Sequence, residues 1–290
     1  MIYRLTHRTV YEYSEPVTIS HHAARLEPRA GTEQVLEEFQ LVIEPEPAVR
    51  TARRDFFGNE VCVFSVQQLH RRLEISASAR VRLEPALPPA AERAPAWDAV
   101  AARFRGVVAE TELEAQQHLF DSPQVVCSVE LESYAARSFP AGRPLLEGVR
   151  ELTSRIHAEF AYEPGVTTVA TPVAEVLERR RGVCQDFTHL ALGCLRSLGL
   201  PARYVSGYVH TRRGPGTARL VGADATHAWF AVYCPGYGWV DYDPTNDLMP
   251  DFEHITLAVG RDFQDVSPVS GIIVGGGRHE VQVAVDIQPE

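Results

Sequence analysis

An α+β fold is predicted, with an antiparallel β domain at the N-terminus and a mixed helix-and-strand domain after it. Three observations carry the prediction: strand signatures over residues 1 to about 85, a proline cluster that ends them, and helical periodicity followed by returning strands. The chain has 290 residues, 45% apolar and 23% charged. That composition is globular and excludes wholesale disorder, and the length allows one large or two ordinary domains.

The first strands follow in order. Val10-Tyr11-Glu12-Tyr13, Phe39-Gln40-Leu41-Val42-Ile43 and Val61-Cys62-Val63-Phe64 are rich in β-branched and aromatic residues, and Leu73 to Ala79 alternates as a half-buried strand does. Phe57-Gly58-Asn59-Glu60 reads as a turn between two of them. Between Glu84 and Ala91, three prolines within five positions stop both ladder and helix. The boundary is placed there: residues 1–85 form the N-terminal β domain and residues 86–290 the second part.

Helical text begins near residue 94. Helices are expected over Ala94 to Phe104, Thr111 to Leu119 and Pro144 to Phe160, the last with a stripe of Leu145, Val149, Leu152, Ile156 and Phe160. Thr171-Pro172-Val173-Ala174-Glu175 supplies a cap, a proline at the first helical position and an acid in the first turn. A long helix should run from Cys184 to Leu198, ended by Gly199 and Pro201. Strands return at Arg203 to His210, Ala225 to Tyr233, Gly238 to Tyr242 and His254 to Val259, then in the tail at Ile272 to Val274 and Glu280 to Asp286.

Charge and composition narrow the function. The 28 basic side chains face 38 acidic ones, a net −10, which argues against nucleic acid or an anionic membrane as partner. All 28 are arginine. Without lysine there is no Schiff-base or phosphate-loop lysine, and no ε-amine of the chain's own to enter an isopeptide cross-link. The opening residues show no apolar run after a basic start, and no stretch of about 18 apolar residues marks a membrane span. Five cysteines without a CxxC pair suit a reducing compartment, so the cytoplasm is the expected location. The oligomeric state is left open.

Three neighbourhoods can carry chemistry. In Arg181-Gly182-Val183-Cys184-Gln185-Asp186-Phe187 a glycine-led loop delivers a thiol to a helix start, where unsatisfied N–H groups favour thiolate over thiol. In Ala225-Thr226-His227-Ala228-Trp229 a histidine enters a strand, and in Gly238-Trp239-Val240-Asp241-Tyr242-Asp243-Pro244-Thr245 an aspartate ends the next one. A nucleophilic thiol needs a base, and the base needs a carboxylate to fix its tautomer. Asp241 and Asp243 share strand parity, so alternation cannot separate them. A four-residue loop from Pro235 to Gly238 would pair Cys234 with Trp239 and set His227 opposite Asn246, three residues past Asp243. A bulge or another register must close that gap.

The runs GVCQDFTHLALGCLRSLGLPARYVSGY and HAWFAVYCPGYGWVDYDPTN resemble the bacterial transglutaminase-like proteins, within the papain-like thiol-enzyme superfamily. YRLTHRTVYEYSEPVTISHHAARLEPR and DFFGNEV resemble the β domain that precedes their core. The resemblance spans nearly the whole chain and implies a core over about residues 150–250, with the Cys helix packed on an antiparallel sheet bearing His and Asp. It implies Cys184 as nucleophile, His227 as general acid/base and Asp243, rather than Asp241, as orienter. The implied activity is acyl chemistry on peptide or protein amides through a thioester, as peptidase or acyltransferase, with no metal and no cofactor. Tyr162 and Trp229 are the implied substrate contacts. The alternative is a catalytically silent domain that binds a protein or peptide.

Other residues read blandly. Cys62, Cys127, Cys194 and Cys234 suit packing, His189 sits more than one helical turn past Cys184, and Asp186 complements the helix dipole. Arg179, Arg180 and Arg181 read as an exposed helix end. The backbone N–H of Cys184 is one oxyanion donor, but the upstream glutamine of papain-type enzymes is absent and Gln185 should turn away. Cys184, His189, Cys194 and Cys234 have no zinc-ligand spacing.

Overall fold

In β1 (Ile2–Ala24), Tyr3, Leu5, His7 and Thr9 are buried in turn, because successive strand residues point to opposite faces. The computed structural model describes residues 1–84, 90–210 and 226–290. The proline-rich boundary at 85–89 and the start of the expected strand at Ala225 lie outside the described residues. β2 (Gln34–Glu44), β3 (Val49–Arg54), β4 (Glu60–Val66) and β5 (His70–Leu83) follow. The strand expected at 10–13 lies in β1, and β2, β4 and β5 contain the others expected in this part, whereas β3 was not expected. β1 pairs with β5 over residues 2–12 and with β4 over residues 20–24, with a register break between Glu12 and Val17. The break contains Pro16, which has no N–H to offer a ladder.

The helices come next: α1 (Trp97–Arg105), α2 (Leu113–Gln116), α3 (Val129–Ala136) and α4 (Leu145–Glu159). The helix expected from Thr111 to Leu119 is only the four residues of α2 between two 3-10 turns. Leu113 stays 54% exposed there, so the segment lacks a continuous apolar stripe to hold a longer helix. A two-residue strand β6 (Ala161–Tyr162), α5 (Val173–Arg179), a second short strand β7 (Arg181–Gly182) and α6 (Cys184–Ser197) follow. In α5 the capping position belongs to Pro172 rather than Thr171; the Thr171 hydroxyl instead accepts from the Thr168 N–H. Then come β8 (Ala202–Val209), β9 (His227–Cys234), β10 (Gly238–Tyr242), β11 (His254–Gly260), α7 (Phe263–Val266), β12 (Val269–Gly275) and β13 (His279–Pro289).

Two main sheets organise these strands. The first runs β2-β5-β1-β4-β3, and β12 and β13 both pair with β1. The tail strands, which follow the second part in sequence, therefore complete the first sheet. The second sheet runs β10-β9-β8-β11, all antiparallel. Phe187, Leu190, Ala191 and Cys194 of α6 share a core with Tyr204, Phe230, Val232 and Tyr242 of this sheet. Tyr208, Ile255 and Leu257 instead join Leu5, Ile75 and Val81 in the core of the first sheet. Each such aliphatic or Phe side chain, fully buried, contributes about 1.5–3 kcal/mol.

Two amides fasten the sheets together. Gln34 Nε2 donates to the Thr256 carbonyl at 2.7 Å, and its Oε1 accepts from the Thr256 N–H at 2.8 Å. Asn59, in the expected 57–60 turn, does the same with the carbonyl and N–H of Val259 at 2.8 and 2.9 Å. Both act on β11, so the N-terminal domain supplies the hydrogen bonds that a further strand would give this edge.

Candidate active site

Gly182 and Asp186 set the approach to α6. A Cβ on Gly182 would lie 2.6 Å from Asp186 Oδ2, so only glycine admits that carboxylate. Asp186 accepts from the Val183 N–H at 2.8 Å and from the Thr167 hydroxyl at 2.7 Å, tying the first turn down; burial raises its pKa. Cys184 is the first residue of the helix and stays partly exposed. The other thiols differ in setting: Cys194 and Cys234 are buried, and burial pushes Cys234 up to about 11. Cys127 also reaches about 11, through burial and its bond to Asp121.

β6 and β7 pair in parallel, with Tyr162 beside Gly182. This brings Tyr162 next to the strand that feeds Cys184, and the ring remains 40% exposed. Its pKa is raised by burial and then by negative charge on Cys184.

His227 opens β9 and Asp243 follows β10. Gly238, not Trp239, pairs with Cys234, because the hairpin loop is the three residues Pro235–Tyr237. The ladder ends at Tyr242 opposite Phe230, which sets Asp243 level with Trp229. His227 is then its diagonal neighbour on the same face, within side-chain reach. The gap that simple pairing left is closed by this register and by a turn, in which Asp243 and Leu248 exchange backbone hydrogen bonds. His227 Nε2 donates to Asp243 Oδ2 at 2.7 Å, with both side chains fully buried.

Asp243 collects four further donors. The N–H groups of Thr245 and Asn246 reach Oδ1 at 2.9 and 3.2 Å. Asn246 Nδ2 reaches Oδ2 at 2.7 Å and His254 Nε2 reaches the same oxygen at 3.2 Å. Burial opposes this carboxylate's charge, but His227 and His254 outweigh it and hold its pKa well below the usual carboxylate range. For His227, burial alone would lower the pKa. The Asp243 charge and hydrogen bond overcome that, Cys184 acts in the same sense, and the pKa rises to about 10. The His227 Nδ1 has no hydrogen-bond partner among the described residues.

Asp241 sits elsewhere: it accepts from Trp229 Nε1 at 2.9 Å, and burial raises its pKa against the attraction of Arg203. Trp229, expected to touch substrate, is 0% exposed. Its Nε1 is held by Asp241 and its ring packs edge-on against His254 at 5.2 Å, so it braces the site rather than presenting a free face to a substrate. His189 is a packing residue whose Nε2 accepts from the Phe263 N–H, with burial lowering it to about 4. Gln185 turns away to the Val169 carbonyl, and Arg179, Arg180 and Arg181 pair with Glu175, Glu159 and Glu163.

The residue that sequence reasoning missed is His254. It lies on β11, beyond β8 from His227, and its side chain reaches across the sheet. Gly207 of β8 keeps the crossing open: a Cβ there would fall 2.2 Å from the Ile255 carbonyl and 2.4 Å from the Trp229 ring. His227, Asp243 and His254 present their polar atoms within 4.8 Å of one another, near enough to suggest a cation. The donor set does not fit one. Asn246 Nδ2 donates into the group and lies 3.4 Å from His227 Nε2, and a carboxylate that only accepts requires protons on both ring nitrogens facing it.

Residues 3–82 match the bacterial transglutaminase-like N-terminal region, and residues 133–244 match the transglutaminase-like superfamily, a span that holds Cys184, His227 and Asp243. The chain belongs to the bacterial transglutaminase-like proteins. An uncharacterized protein of Mycobacterium tuberculosis (strain ATCC 25618 / H37Rv) is 42% identical over 99% of this chain and 92% of its own length. A protein-glutamine gamma-glutamyltransferase of Pseudomonas aeruginosa is 28% identical over 39% of this chain and 19% of its own. A crystal structure from Cytophaga hutchinsonii, described as a candidate cysteine protease, superposes with a TM-score of 0.77 at 20% identity, covering 99% of this chain and 90% of that one. That likeness establishes the shared fold. The transglutaminase-like core is a scaffold for cysteine-dependent acyl chemistry in general.

Proposed function

We propose that this protein transfers the acyl group of peptide or protein amides through a thioester on Cys184. The observation that carries the reading is the buried His227–Asp243 bond at 2.7 Å, which uses Nε2 and leaves Nδ1 for the Cys184 thiol. Nε2 keeps its proton on Asp243, so Nδ1 is the atom that takes the thiol proton, and with a pKa of about 10 His227 holds it as the imidazolium at neutral pH. Asp243 holds the ring and stabilises the imidazolium that forms. The helix start favours the thiolate.

In the first step the thiolate attacks the amide carbonyl, and the backbone N–H of Cys184 is a donor for the resulting oxyanion. Collapse breaks the C–N bond, and His227 delivers its Nδ1 proton to the departing amine. Water or a second amine then attacks the thioester, giving a proton to Nδ1 and releasing Cys184. Tyr162, half-exposed beside Cys184, is the substrate contact. An acceptor amine would come from another molecule, because no lysine occurs in the chain. The free thiols favour a reducing, cytoplasmic setting, and no described helix is long and apolar enough to cross a membrane.

Incubation with a pool of glutamine-containing and ordinary peptides, with and without added primary amine, tests the reading by product mass. Hydrolysed or amine-exchanged products that vanish in Cys184→Ala support it. No product of either kind, together with stoichiometric capture of peptide, would mark a silent binding module instead.

A further inference from the structure

The Asp243 carboxylate serves two imidazoles, and the proposed acyl chemistry uses only one. His227 and His254 both donate Nε2–H groups to Oδ2, at 2.7 and 3.2 Å. His254 is 5% exposed, and its Nδ1 has no partner among the described residues. Its ring is braced edge-on by Trp229 at 5.2 Å and 85°, and Trp229 is itself anchored by Asp241. Its strand is held in register by Gln34 and Asn59 of the N-terminal domain. So buried and braced a donor on the carboxylate of a neighbouring pair is more than filler.

We infer that His254 is a positioning residue: it fixes Oδ2 of Asp243 and draws off part of the carboxylate charge, limiting how tightly Asp243 holds the His227 proton. The inference rests on the thiol reading above and deepens it. An imidazolium held too strongly is a poor acid for the leaving amine, because proton transfer works best from a group titrating near the working pH. A second donor on the same oxygen weakens the first. The ionisable groups facing the two rings are Cys184 at the start of α6 and Asp243 after β10, with Asp241 of β10 attracted to His254. Asn246 adds an uncharged donor. This also gives the N-terminal sheet a role at the site, because it places the strand that carries His254.

Two substitutions in the full chain separate donation from packing. His254→Phe keeps a ring against Trp229 and removes the donor, whereas His254→Gln sets an amide N–H near the former Nε2. The titration of His227 is read by nitrogen-edited NMR of the imidazoles in a Cys184→Ala background, and the alkylation of Cys184 by iodoacetamide against pH in the native background. The expected result is an upward move of the His227 titration by about one pH unit in His254→Phe, with the alkaline limb of alkylation moving alongside it. Peptide turnover should fall about tenfold, and His254→Gln should return both profiles close to the parent. A His227 titration unchanged in His254→Phe would overturn the inference, as would a His254→Gln variant shifted as far as His254→Phe. If the NMR shift appears while Cys184 of the parent alkylates no faster than the other thiols, the coupling between the imidazoles stands and the thiol reading falls.

Discussion

Replacing Asp243 with asparagine removes one charge and almost no volume, yet its surroundings turn that small change into a large one. Five donors converge on this side chain: His227, His254, the Asn246 amide and the N–H groups of Thr245 and Asn246. The asparagine oxygen can keep the two backbone groups, but its NH2 then confronts three other donors. His227 must move its proton to Nδ1 to relieve the clash, and in that tautomer it can no longer accept the thiol proton. Turnover should fall about 10⁴-fold, the scale seen when a triad carboxylate becomes an amide. Stability should fall by about 3 kcal/mol, since a buried ionic bond is broken with its donors left in place. The pH dependence of unfolding supplies an independent reading. His227 is raised from 6.5 to about 10, so its pairing stabilises fully below pH 6.5 and is lost as pH climbs through about 10. In Asp243→Asn, burial without a counter-charge lowers His227 instead, so this alkaline loss should disappear and stability should fall on acidification. Urea unfolding from pH 5 to 10.5 and a peptide-turnover assay measure both effects. Near-parent turnover in the variant would refute the assignment of Asp243.

Three further outcomes rest on the same geometry. Cys184→Ala should abolish turnover while shifting the melting temperature by about 2 °C or less, because a partly exposed helix-start thiol contributes little packing; calorimetry with the peptide assay checks it. Asn59→Ala strands the carbonyl and N–H of Val259 and should cost about 1–3 kcal/mol in denaturant titration. Gly207→Ala places a Cβ 2.2 Å from the Ile255 carbonyl, and should yield insoluble protein or lower the urea midpoint by more than Asn59→Ala does.

Local features were legible and long-range ones were not. The thiol at a glycine-led helix start, the histidine at a strand entry and the aspartate at a strand end are each written in a few adjacent residues, and the β runs announce themselves by alternation. Choosing Asp243 over Asp241 required the family resemblance, because both share a face and only the turn to Leu248 sends one towards His227. The tail strands were visible as strands, but nothing local says that Val281 to Pro289 will lie against residues 3–11 of β1. His254 escaped for the same reason: its approach to Asp243 depends on a bare crossing at Gly207 and on strand order. That Trp229 is fully buried was equally hidden, because its ring is enclosed by Asp241 and by His254 from two other strands. The short α2 failed as a long helix because one exposed leucine among polar residues cannot anchor three turns.

The rate of alkylation at each of the five thiols, resolved by peptide mass spectrometry across pH, tests the central claim most directly. Cys184 should react far ahead of Cys62, Cys127, Cys194 and Cys234, and should lose that advantage when His227 is replaced by alanine. Equal rates at Cys184 and the partly exposed Cys62, with no effect of His227→Ala, would contradict it.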